Sequence, residues 1–159
     1  EVGNGSQFTI YVPVSAAEEK QGEIKEMLPI MTGQGTILVV DDEPMVRRNA
    51  CEMLEMAGYF VLEAVDGREG VTLFKEKADE IDCVVLDMVM PRLSGIDAFM
   101  EMQKIDNTIP IIISSGLKKD NRVLKAIEKG AKAFIQKPYT IHGITATVHR
   151  VMQGNAVSE

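Results

Sequence analysis

The chain has 159 residues, 45% hydrophobic and 26% charged, enough for one well-buried core but not for two full domains. Its net charge of −7, from 24 acidic residues against 17 Lys and Arg, argues against a nucleic-acid-binding surface. No apolar run approaches the ~20 residues of a membrane span, and no signal peptide is visible.

In chain order, Gln7 to Val12 alternates like a strand that Pro13 ends. Residues 14–35, with "SAAEEKQGEIKEM" and then "TGQG", are polar and read as a linker, helical in part around Ala16 to Met27. A regular alternation begins at Thr36. Strands are predicted at 36–41, 59–64, 82–87, 109–114 and 132–136, with helices at 44–57, 67–79, 94–104, 119–129 and 140–153. This alternation predicts an α/β fold, a doubly wound five-stranded parallel sheet with helices on both faces. The second strand, "YFVLEA", is the least hydrophobic and suits a sheet edge.

Pro44 suits the first turn of its helix, and Gly58 and Gly130 suit helix stops. Asp66, Ser94 and Thr140 are predicted N-caps, and Asp41 or Asp42 is expected to cap the first helix. Ile141, Ile144, Val148 and Val151 form one apolar stripe on the last helix. Met53, Met56, Met100 and Met102 read as core filler. Cys51 and Cys83 fall in a predicted helix and strand, which fits reduced core thiols in a cytoplasmic protein.

A parallel open sheet binds ligands beyond the carboxyl ends of its strands. The first strand ends in Asp41 and Asp42, the third in Asp87, the fourth in Ser114 and Ser115, and the fifth in Lys137. Adjacent carboxylates repel, so a cation is expected among them. A cluster of acids suits a hard divalent ion held with waters, Mg²⁺ above all. A lysine and a hydroxyl beside it suit phosphoryl oxygens. Asp87 is then left as the nucleophile of a phosphoryl transfer, which needs little beyond in-line positioning and charge neutralisation.

The stretches "ILVVDDEPMVRR", "VVLDMVMPRLSG", "PIIISSG" and "GAKAFIQKPY", in this order and spacing, resemble the receiver domain of bacterial two-component response regulators. The resemblance covers residues 36–153 and implies a flavodoxin-like fold. It implies that Asp87 accepts a phosphoryl group from phosphohistidine, with Mg²⁺ held by Asp42, Asp87 and the Val89 backbone carbonyl, and by Asp41 through water. It makes Ser115 and Lys137 the phosphoryl-binding pair. Gap-free counting back from Lys137 selects Ser115 over Ser114. Phe134 becomes the aromatic that turns inward when Ser115 moves, and Lys137–Pro138 a cis peptide. Serine stands at 115 where the family more often has threonine, and Phe134 where it often has tyrosine. Val89 and Leu117, two residues after Asp87 and Ser115, are the side chains expected to tune hydrolysis of the phosphoryl group. Neither can position a water.

"GNGSQFTIYVP" resembles the last strand of a histidine-kinase ATP-binding domain. The implied organisation is a kinase remnant over 1–13, a linker over 14–35, a receiver over 36–153 and a tail over 154–159. The chain, which starts with Glu1, is then expected to be a fragment of a hybrid sensor histidine kinase whose receiver comes last. The fragment lacks a nucleotide-enclosing fold and a phosphoacceptor-histidine helix, so it is not expected to use ATP. Its partners would be the kinase core in cis or a histidine phosphotransfer protein in trans, with no nucleic acid and no membrane contact.

Other readings compete. A stand-alone single-domain regulator would make the first 35 residues an unrelated tail. An aspartyl phosphatase of haloacid-dehalogenase type needs Asp-x-Asp after its first strand, whereas Asp41, Asp42 and Glu43 stand here. Ser114 is expected to be a simple loop serine, Asp82 and Asp97 solvated acids, and His142 and His149 solvent-facing. Lys118, Lys119, Arg122 and Lys125 form a basic helix face, solvated or a weak interface.

Overall fold

The computed structural model describes residues 9–11, 30–116 and 121–154. Ten elements alternate: β1 (Thr36–Val40), α1 (Pro44–Met56), β2 (Phe60–Ala64), α2 (Gly67–Glu76), β3 (Cys83–Asp87), α3 (Gly95–Ile105), β4 (Ile111–Ser115), α4 (Asn121–Glu128), β5 (Ala133–Gln136) and α5 (Ile141–Met152). The strands form one sheet in the order β2-β1-β3-β4-β5, every neighbouring pair parallel. The winding therefore reverses between β1 and β3, and their carboxyl ends flank the crevice where such sheets take ligands. β2 lies at an edge, as its composition predicts.

Strands covered on both faces read as continuous apolar runs, and β1, β3 and β4 are buried along nearly their whole length. Alternation divides their side chains between two cores. One face meets Phe74 of α2, Phe99 and Met102 of α3, and Val123 and Ala126 of α4. The other meets Ala50 and Leu54 of α1, and Ile144, Val148 and Val151 of α5.

The capping signals hold at three helices. Asp66 accepts from the backbone N–H groups of Arg68 and Glu69, Ser94 from Asp97, and Thr140 from Gly143. At α1 the expectation fails. Its N-cap is Glu43, with no side-chain cap bond and Pro44 following, while Asp41 Oδ1 accepts from the Glu43 N–H at 3.0 Å. β1 ends one residue early, so Asp41 belongs to the turn. β4 starts at Ile111 rather than 109, because Pro110 has no N–H for the ladder. Gly58 and Gly130 have positive φ, as helix stops require.

Met56 is a correction. It is 69% exposed on the far side of α1 from Leu54, and Met53 and Met100 are only half-buried, so Met102 alone of the four is core. Thr9–Tyr11 form no strand, and Ile10 and Tyr11 are exposed. The rest of the predicted strand over 7–12, and the helical stretch around 16–27, lie outside the described residues. Residues 30–35 run along the domain. Ile30 packs on the α1–α5 core, and the Gly33 N–H donates to the Ala57 carbonyl at 3.0 Å. A Cβ at Gly33 would fall 2.1 Å from Tyr59 Oη, so a side chain there would force the Tyr59 ring to shift.

Candidate functional site

The three aspartates predicted from strand ends converge. Asp41 and Asp87 are buried, at 1% and 4% exposure, and Asp42 is half-buried. Each offers a carboxylate oxygen lying within 4.8 Å of the other two. Lys137 reaches them from beyond β5, its Nζ 2.7 Å from Asp41 Oδ2 and 3.1 Å from Asp87 Oδ1. The ammonium therefore pairs with two of the three acids.

Burial pushes the Asp87 carboxyl above the ordinary aspartate value; Lys137 opposes this, Asp41 adds to it, and the raised direction prevails. Burial alone would lower Lys137, but Asp41 and Asp87 together outweigh it and hold the ammonium above the usual lysine value. Three ionised carboxylates against one ammonium leave two negative charges in a small space. A divalent cation with oxygen ligands neutralises that charge, and the donor set fits one.

The family model of the response regulator receiver domain matches residues 37–149. The chain belongs to that family. The chemotaxis protein CheY of Thermotoga maritima is 38% identical over 116 residues, 72% of this chain and 95% of that protein. The sensor kinase CckA of Brucella abortus is 29% identical over 161 aligned positions, 96% of this chain. The chain spans 17% of that kinase's length. A solved receiver domain protein from Clostridium thermocellum superimposes with a TM-score of 0.72 at 33% identity, covering 76% of this chain and 95% of that one.

As a receiver domain of a two-component system, the chain is of the phosphoacceptor kind. Two further features of the receiver's site come from β4 and β5. Ser115 is buried at the end of β4, and its carbonyl accepts from the Lys137 N–H at 3.0 Å. Strand alternation puts Ser115 on the face of Ile111 and Ile113, the same core against which half-buried Phe134 packs. Lys137–Pro138 is cis. Val89 is 52% exposed at the mouth of the cleft, alongside Pro44 and Pro138. Leu117 lies outside the described residues, as do Lys118 and Lys119.

Several expectations need correction. Ser114 is no loop serine. It is fully buried within β4, opposite Asp87 in register, and Tyr139 Oη donates to its Oγ at 2.8 Å. His142 is half-buried, its Nδ1 enclosed without a hydrogen-bond partner among the described residues. The reason is a buried stripe on α5 wider than predicted, since Thr145, one turn on, is fully buried. His149 is also half-buried and lies 3.0 Å from the Gln153 amide nitrogen. Asp82 is exposed but accepts from the Thr36 N–H at 2.7 Å, fixing the start of β1.

Arg47 escaped the sequence reading. Its Nη1 donates to the Asp41 carbonyl at 2.7 Å, and its Nε pairs with Glu63 of β2 at 3.1 Å. The guanidinium thus ties the acidic turn to the edge strand. Its signal was faint, one arginine a turn into α1. Cys51 and Cys83 are free, and burial pushes their thiols up to about 11 and about 12, so neither is a reactive thiolate at neutral pH. No helix among the described residues is long and apolar enough to cross a membrane.

Proposed function

We propose that Asp87 is the phosphoacceptor and that Asp42 and Asp87, with the Val89 carbonyl, hold Mg²⁺ directly while Asp41 acts through water. The observation that carries this is Asp87 at the end of β3, its carboxylate beside those of Asp41 and Asp42 and 3.1 Å from Lys137. When bound, Mg²⁺ neutralises charge on the phosphoryl oxygens. A carboxylate oxygen of Asp87 forms a bond to phosphorus as the P–N bond of a phosphohistidine breaks. The bonding pair leaves with the donor imidazole, which takes up a proton from water. Lys137, freed from Asp87, pairs with the incoming phosphoryl group, and Ser115 hydrogen-bonds it. Phe134, on the same face as Ser115, is positioned to follow that movement.

The alignment with a sensor kinase over 96% of the chain supports reading residues 1–13 as the end of a kinase ATP-binding domain and 14–35 as a linker. The parent is then a hybrid histidine kinase whose receiver works in the cytoplasm. The donor is its own kinase core or a histidine phosphotransfer protein.

The test is intact mass after incubation with Mg²⁺ and acetyl phosphate. The chain is expected to gain one phosphoryl group and Asp87→Asn none; equal labelling of the variant refutes the assignment. Asp42→Ala is expected to weaken Mg²⁺ binding at least tenfold in a calorimetric titration, one liganding charge having gone. Unchanged affinity removes Asp42 from the ligand set.

Once formed, the phospho-aspartate is expected to hydrolyse slowly. Attack needs a water in line behind phosphorus, and apolar, half-exposed Val89 crowds the approach without being able to orient one. Leu117 is proposed to act alike. After removal of the donor, Val89→Asn combined with Leu117→Glu is expected to hasten decay by about tenfold or more. Decay of the wild type as fast as the double variant contradicts this shielding.

A further inference from the structure

The segment that carries Lys137 is anchored to β4 at two consecutive residues. The Lys137 N–H donates to the Ser115 carbonyl at 3.0 Å, and two residues later Tyr139 Oη donates to Ser114 Oγ at 2.8 Å. Ser114 continues the connection toward the phosphoacceptor. It faces Asp87 in register, and its carbonyl accepts from the Met88 N–H at 3.0 Å. A run of bonds thus leads from Tyr139 through Ser114 to the backbone beside Asp87.

Nothing in packing alone calls for this polar pair. Ser114 is fully buried and the Tyr139 ring lies against the apolar α1–α5 core, where an alanine and a phenylalanine would fit. Buried hydroxyls are tolerated when each satisfies the other, and such pairs specify one geometry. The geometry specified here is the spacing between the Lys137 loop and the strand end bearing Asp87. The Lys137 ammonium is the mobile end of a four-carbon stem, so its placement 2.7 Å from Asp41 and 3.1 Å from Asp87 depends on where its backbone is held.

We infer that Tyr139, through its hydroxyl bond to Ser114, is a positioning residue that holds Lys137 in line with Asp87 for phosphoryl transfer. The inference rests on the reading of Asp87 as phosphoacceptor. Tyr139 touches neither the phosphoryl group nor the metal site in this role. Its effect passes through Lys137.

The test uses the full chain with acetyl phosphate at saturating Mg²⁺, reading the rate of mass gain and, separately, the urea midpoint. Tyr139→Phe is expected to slow labelling by about tenfold, a small displacement of a charge-stabilising group being enough for that. In a Lys137→Met background the same substitution is expected to change the rate by less than twofold, because two residues acting through one interaction are not additive. Ser114→Ala with Tyr139→Phe removes both partners, which is close to neutral for stability where removing one is not. The double variant is therefore expected to regain the wild-type urea midpoint while its labelling stays slow.

Labelling that recovers together with stability would make the pair merely structural and overturn the inference. So would a further tenfold loss on adding Tyr139→Phe to Lys137→Met, or wild-type rates in Tyr139→Phe. Failure of the wild type to label at all would instead overturn the phosphoacceptor reading, and the inference with it.

Discussion

Replacing Gly95 with alanine is expected to destabilise the receiver by about 3 kcal/mol and to slow its phosphoryl labelling, proposed at Asp87, by roughly a hundredfold. A Cβ at Gly95 would lie 2.1 Å from the Asp87 carbonyl oxygen and 2.6 Å from Met88 Cα. Both are backbone atoms, so no side chain can swing aside. Either α3 lifts off the end of β3 or the peptide after Asp87 moves, by about an ångström in each case. The first breaks the packing of fully buried Ala98, Phe99 and Met102. The second displaces Asp87 and Val89 together. Gly116, where a Cβ meets nothing within 4 Å, is the control, and Gly116→Ala is expected to leave the urea midpoint within about 0.5 kcal/mol of wild type. A Gly95→Ala variant as stable as that control would show that α3 yields more readily than its buried face implies.

Lys137→Met is expected to cost about 2–3 kcal/mol in Mg²⁺-free buffer at neutral pH, and the loss should shrink when Mg²⁺ is added. Removing one member of a fully buried ion pair costs about 3–5 kcal/mol; the Lys137 side chain keeps 15% of its surface exposed, so water screens part of that. The dependence on pH follows from the same charges. With the ammonium gone, the Asp87 carboxyl, already raised by burial, rises further beside Asp41. A carboxyl whose folded pKa lies above its unfolded value binds protons more tightly when folded, so stability falls as pH climbs through the window between the two. The variant should thus resemble wild type most closely at acidic pH and lose ground toward neutrality. In the wild type the raised Lys137 pKa contributes stability that is complete below the ordinary lysine value and lost only in alkali. Urea midpoints between pH 4 and 8, with and without Mg²⁺, check this. A pH-independent difference would mean that Lys137 acts by packing its stem rather than by its charge.

What could be read from the chain alone was whatever depends on near neighbours. Apolar runs, helical stripes and caps act within a turn or a strand, so the order of β1 to β5 and α1 to α5, the edge position of β2, and the caps at Asp66, Ser94 and Thr140 followed from local chemistry. That Asp41, Asp42, Asp87 and Lys137 share one rim followed too, since parallel strands align their carboxyl ends. Tertiary structure alone decided how those groups meet. Lys137 bridges Asp41 and Asp87 because β1 and β3 are adjacent while β5 lies two strands away from β3, a distance its long stem can cross. Ser114 and Ser115, neighbours in sequence, point to opposite faces, so one bonds Tyr139 while the other joins the face of Phe134. Arg47 reaches the Asp41 carbonyl and Glu63 only because β2 pairs with β1. Such contacts depend on register between distant segments, which a one-residue slip would reverse, and no periodicity in the chain encodes them.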